Sequence, residues 1–169
     1  MGKLDVGFRA LTGKGVLRLA VSSALCLFLA IALCVRAEEP VFYVATNGVD
    51  GAGRGAADAP YATVPFAVTN NTAPFTVRVA AGTYAMGAAT ITLDGAIRVI
   101  GEDRDAVLFR RDQSSPDCQP SFFALRHADA LVANVGISAP TRLLYTQSGA
   151  IDITSGTVSN VLVAAVGGW

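Results

Sequence analysis

From residue 75 onward, apolar and polar residues alternate in short bursts. Val77-Arg78-Val79, Ile91-Thr92-Leu93, Ile97-Arg98-Val99 and Ile151-Asp152-Ile153 each set one polar residue between two aliphatic ones. A period of two belongs to a strand with one buried face. Helical spacing is scarcely seen in this region. Gly82, Asp94-Gly95, Gly101, Gly136, Gly149 and Gly156 punctuate it, as bends between strands do. The pattern predicts an all-β chain.

The spacing of these bursts separates one all-β architecture from another. Val79 to Val99 is 20 residues and Val132 to Ile153 is 21, while the polar stretch DQSSPDCQP at 112 to 120 lengthens the interval between Val99 and Val132. A repeat just above twenty predicts a solenoid whose turns stack about 4.8 Å apart. About four such coils fit between Val77 and Trp169. Within FTVRVAAGTY, residues 75 to 84, the strand runs into a corner where Gly82 is free to take a positive φ. Tyr84 is then expected to fold back over the coil as an amphipathic ring. A rival arrangement starts from Asp94-Gly95, a strong hairpin signal, which would make residues 91 to 99 antiparallel within a small sandwich. The periodic spacing favours the solenoid.

The first 37 residues have a different character. Lys3, Arg9, Lys14 and Arg18 precede an uncharged apolar run from Leu19 to Val35, and Val35 and Ala37 place small residues before Glu38. This is the layout of a secretory signal peptide cut after Ala37, and the run is short for a membrane span of about 20 residues. An uncleaved anchor and a lipoprotein are the alternatives, the latter disfavoured because Leu25 and Leu33 precede Cys26 and Cys34. The expected organisation is a signal peptide at 1–37, a cap segment at 38–74 and stacked strands at 75–169. The product is expected to be secreted or held at the cell surface, touching a membrane only through its signal.

Beyond residue 37, eight arginines face twelve carboxylates, a net charge of −4. Such a balance argues against nucleic acid as a partner. Cys118 is the only cysteine there, so an intramolecular disulfide is excluded and burial must hold the core together.

The residues from Phe42 to Tyr84 carry a family resemblance. Tyr43-Val44, Asn47-Gly48-Val49-Asp50, Pro60-Tyr61-Ala62-Thr63, and Val79 with Gly82-Thr83-Tyr84 occur in that order. The stretch resembles the N-terminal opening of bacterial right-handed parallel β-helix proteins of the pectate-lyase-like superfamily. IRVIGED from Ile97 and GAIDITSGTVSNVLV from Gly149 resemble coil repeats of the same group. The resemblance implies a short capping helix with Thr63 as its N-cap, although Pro65 departs from the usual polar residue. It also implies that catalytic residues lie on later coils that this chain barely reaches. The sequence stops at Val166-Gly-Gly-Trp169 without a visible polar cap, which suggests a fragment and end-to-end self-association.

Candidate chemistry is sparse, and no catalytic residue is assigned. Asn47, Asp50 and Asp58 lie in the Gly-rich NGVDGAGRGAAD and offer either a calcium site, with Asp50 and Asp58 as ligands, or ordinary turn stabilisation. GEDRD at 101 to 105 encloses Arg104 among acids. The resemblance does not place Arg104 at the arginine base of the family's lyases, and a solvated bend is the simpler reading. Asp112, Asp117 and Cys118 belong to a polar loop, and His127 is the only histidine, flanked by Arg126 and with Asp129 nearby. The functional expectation is recognition of an extracellular polysaccharide, with lyase-like chemistry only if further coils supply it. The alternative is a non-enzymatic adhesin or structural passenger.

Overall fold

Eight strands and one helix follow one another in the computed structural model, which describes residues 38–87, 90–111, 121–140 and 150–166. They are β1 (Val41–Val44), α1 (Val64–Thr69), β2 (Phe75–Val79), β3 (Gly82–Ala85), β4 (Ile91–Leu93), β5 (Ile97–Gly101), β6 (Val107–Arg110), β7 (Phe123–Pro140) and β8 (Ile151–Val166). The chain divides into two units, Met1–Glu38 and Glu39–Trp169. The expected signal peptide at 1–37, the loop at 112–120 with Cys118, and the last three residues lie outside the described residues.

Every pairing between these strands is parallel, and the pairs fall into three ladders. The first stacks β1, β2, β5, residues 131–133 of β7 and residues 157–159 of β8. The second stacks β3, β6, residues 136–138 of β7 and residues 162–164 of β8. The third stacks β4, residues 123–125 of β7 and residues 151–153 of β8. Parallel neighbours need a long crossover between them. Between β1 and β2 that connection holds α1, and between β2 and β5 it holds β3 and β4, one strand from each of the other two ladders.

The rival hairpin is excluded by the pairing. β4 and β5 flank Asp94-Gly95, yet β4 pairs with β7 and β5 with β2 and β7, all in parallel. Asp94-Gly95 is a bend between two ladders. Turn chemistry alone could not distinguish that bend from a hairpin, because both need the same tight change of direction.

The expected repeat just above twenty residues is met at the first step of the first ladder and exceeded at the later ones. Val77, Val99, Val132 and Val158 are register partners along the first ladder, at steps of 22, 33 and 26 residues. Val79 faces Gly101, two residues beyond Val99. A two-residue shift keeps every side chain on its own face, so alternation alone is blind to it. Ile153 stacks on Leu125 in the third ladder and not on Val132 in the first. The 21-residue interval from Val132 to Ile153 therefore spans two different ladders.

The core lies between the ladders. Val77, Val99 and Val132 are fully buried in one column. Tyr84, Phe109 and Ile137 form another, with the Tyr84 and Phe109 rings 5.6 Å apart. Phe109 also meets Phe123 edge to face at 5.3 Å, which ties the second ladder to the third. Each fully buried phenylalanine contributes about 1.5–3 kcal/mol of transfer free energy, so these columns hold the fold without a covalent link.

Tyr84 departs from expectation. It points inward, buried within the core cluster, and its hydroxyl donates to the carbonyl of Ala80 at 2.7 Å. The corner itself is Ala80-Ala81, after which Gly82 takes a φ of 154° and opens β3. A Cβ at Gly82 would come within 2.5 Å of Thr46 Cγ2, so both backbone and space call for glycine.

The opening end is closed by the cap segment. Tyr43 donates its amide to Gly55 O at 2.8 Å, Tyr61 donates to Tyr43 O at 2.9 Å, and Ala45 donates to Tyr61 O at 3.0 Å. These bonds occupy the edge of β1 that faces away from β2, where an exposed row of donors and acceptors would invite another strand. The helix α1 has the expected N-cap, because Thr63 Oγ1 accepts from the Phe66 amide at 3.3 Å. Pro65 sits in its first turn, where proline costs little. Val64, Ala67 and Val68 turn the helix's buried face to the core.

Candidate functional site

Side chains alternate across each strand, so a parallel ladder places outward residues in rows. On the first ladder, one row runs Tyr43, Arg78, Ile100 and Ala133. Two residues back along each strand, a second row runs Val41, Thr76, Arg98 and Leu131. The first row contains an aromatic ring, a guanidinium and an aliphatic chain at successive spacings of about 4.8 Å.

A groove of about 290 Å³ opens along this row, lined by Tyr43, Arg78, Val79, Ala80, Ile100 and Glu102. Tyr43 keeps 38% of its surface exposed there, while its main chain is pinned by the cap bonds. Arg78 is exposed and makes no hydrogen bond or ion pair among the described residues. Glu102 forms the groove's other end. Its amide donates to Val79 O at 2.8 Å, and its Oε2 accepts from the Ala81 amide at 3.1 Å. The carboxylate is thereby oriented with one oxygen left for a ligand. In the second row, Arg98 is bound to Glu39, whose other oxygen accepts from Thr76 Oγ1 at 3.2 Å.

Glu102 also borders a second, shallower cleft of about 250 Å³ lined by Asp103, Arg104, Asp105, Asn134 and Asn160. Its polar groups are largely engaged with one another. Arg104 donates to both oxygens of Asp105 at 3.1 Å and to Asn160 Oδ1 at 3.3 Å. The hydrogen bond from Arg104 holds the Asp105 carboxyl below the usual range, and the same bond raises the Arg104 guanidinium. Asp103 Oδ1 accepts from the Asp105 amide at 2.7 Å, forming the tight bend after β5. Residues 103–105 are therefore a self-satisfied surface turn.

The sequence's other candidates fall apart from the groove. Asp50 accepts from the amides of Ala62 and Thr63 at 2.9 and 3.0 Å and from Thr63 Oγ1 at 2.7 Å. Its carboxylate thus ties the Gly-rich loop to the helix cap. Asp58 and Asn47 are exposed on the same segment. Among the described residues, no three His, Cys, Asp or Glu side chains gather as metal ligands. His127 sits on the surface with Nδ1 accepting from the Asp129 amide at 3.1 Å. Its neighbour Arg126 is committed instead to Asp152 and Thr154.

Neither the Tyr43, Arg78 and Glu102 set nor the asparagine pair was picked out from the sequence. The first had no linear signal, because its members come from β1, β2 and the turn after β5 at unequal separations. The second did have one: Val-x-Asn-Val occurs at residues 132–135 and again at 158–161. That repeat would have given the 26-residue step directly.

Comparison of the chain with family models, with curated proteins and with solved structures finds no match.

Proposed function

We propose that this chain forms an exported right-handed parallel β-helix of pectate-lyase-like type, and that it recognises an extended polysaccharide along the outward face of the first ladder. Three parallel ladders traversed in turn, a capped first edge and stacked asparagine corners support the solenoid. The basic and apolar pattern of residues 1–37 supports export.

The observation that carries the recognition reading is the row Tyr43, Arg78, Ile100 with Glu102 closing the groove beside it. A polymer of pyranose units offers flat C–H faces and hydroxyl groups at regular intervals. An exposed ring, a guanidinium and an oriented carboxylate match those features. The row repeats at the strand spacing, which is comparable to the rise of one sugar unit along an extended chain. No catalytic step is assigned to these residues.

Affinity electrophoresis of the exported protein through gels cast with individual polysaccharides tests this reading. Retardation by at least one extended polysaccharide, reversed by Tyr43→Ala, is expected. Unchanged mobility in every gel would remove the reading and leave the second one. That second reading, a scaffold presenting loops, draws on the unequal steps of 22, 33 and 26 residues along one ladder.

A further inference from the structure

Granting that polysaccharide reading, we infer that the groove at Tyr43 selects a neutral glycan chain over a uronic acid polymer. The groove contains one cation, Arg78, and one anion, Glu102. The charges balance within it. The adjoining cleft adds Asp103 and Asp105 against Arg104 alone. The next cation along the face, Arg98, is neutralised by Glu39. With Arg104 and Asp105 paired to each other, a polymer with a carboxylate on every unit would meet one uncommitted guanidinium, Arg78, against two carboxylates, Glu102 and Asp103, a net negative field across the two adjoining clefts.

A neutral pyranose finds a complement for each of its parts. Its C–H face carries slight positive charge and lies against the negative face of the Tyr43 ring. Its hydroxyls donate to Glu102, whose Oε2 is anchored on the Ala81 amide and whose Oε1 carries no hydrogen bond among the described residues. Arg78 donates back to hydroxyl and ring oxygens. Its five N–H donors are all available among the described residues. Ile100 supplies the apolar floor between them. A carboxylate-acceptor site of this kind rejects an acidic sugar twice, by charge and by offering an acceptor where a donor is required.

The test uses the exported chain in gels cast with a neutral glucan, xylan or mannan, and in parallel gels with a polyuronate, at low and at about 0.5 M salt. The expected result is retardation by a neutral polymer that persists at high salt. Glu102→Gln should weaken that retardation at least threefold and Tyr43→Ala at least tenfold, while circular dichroism stays unchanged. The conservative Glu102→Asp should restore part of the Glu102→Gln loss. Retardation by the polyuronate alone, lost in salt, would overturn the neutral-glycan inference and leave polysaccharide recognition standing. Neutral binding untouched by Tyr43→Ala and Glu102→Gln would overturn the placement of the site. Absence of binding to both polymer classes would overturn this inference together with the reading beneath it.

Discussion

Asn160 donates its side-chain amide to Oδ1 of Asn134 at 2.9 Å, and the two residues hold nearly the same left-handed backbone, with φ of 50° and 54°. They occupy one corner on successive passes of the chain, between the first ladder and the second. Asparagine tolerates this backbone better than other non-glycine residues do. Its amide also offers a donor and an acceptor along the stacking axis, as stacked amides do in ordered parallel assemblies.

Two substitutions at Asn134 separate backbone from side chain. Asn134→Ala loses both the tolerated left-handed conformation and the amide bond, with an expected cost of about 1–3 kcal/mol. Asn134→Gly keeps the backbone easy and loses the bond, so a smaller cost is expected. Urea denaturation of the two variants checks the order, and equal midpoints would show that the corner is indifferent to backbone preference.

Gly101 stands beside the same corner, and a Cβ there would lie 2.0 Å from the carbonyl oxygen of Asn134. Backbone cannot yield as a flexible side chain does. Gly101→Ala is therefore expected to cost about 3 kcal/mol, the upper end for overpacking. A large drop in thermal midpoint with unchanged far-ultraviolet dichroism at low temperature is the expected readout.

The cap depends on Asp50 through Thr63. Thr63→Ala removes both the N-cap acceptor and the hydroxyl donated to Asp50 at 2.7 Å, at an expected cost of about 1–2 kcal/mol. Asp50→Ala should destabilise by a similar amount. If the carboxylate acts through the helix cap, that loss is the same in calcium and in chelator. A loss seen only with calcium present would restore the metal reading of this loop.

Tyr84 makes stability depend on pH from the alkaline side. Burial raises its hydroxyl above the usual value near 10, and the charge of Glu102 adds to the shift. The folded state therefore holds the proton more tightly than the unfolded state. That contribution is complete below about pH 10 and is lost as pH rises through the folded value. Tyr84→Phe should flatten the alkaline limb of the stability curve while costing about 1 kcal/mol at neutral pH for the bond to Ala80. An unchanged alkaline limb would place the sensitivity elsewhere.

Strand content was legible in the sequence because alternation reports a one-sided burial directly. Val77, Val99 and Ile97 are buried as the pattern requires, and Thr63 caps its helix. Register was less legible. Val79 slid from Val99 to Gly101 because a two-residue slip leaves every face unchanged. A phenol reads as amphipathic, which suggests a ring folded back over the coil, whereas the Ala80 carbonyl satisfies the Tyr84 hydroxyl within the core. The groove was invisible for a different reason. Tyr43, Arg78 and Glu102 become neighbours only through the steps from strand to strand along the first ladder, and those unequal steps carry no pattern of their own.

The bonds from Gly55 and Tyr61 to β1 give the scaffold a direction. One edge is already occupied by the chain's own cap, while β8 pairs only with β7 among the described residues. A duplicated tier added beside β8 meets a matching row of amides and carbonyls, whereas one added before β1 would first have to displace the cap. Lengthening by repetition is thus permitted at one side and resisted at the other. The groove at Tyr43, next to the closed side, keeps its geometry however many tiers accumulate beyond it.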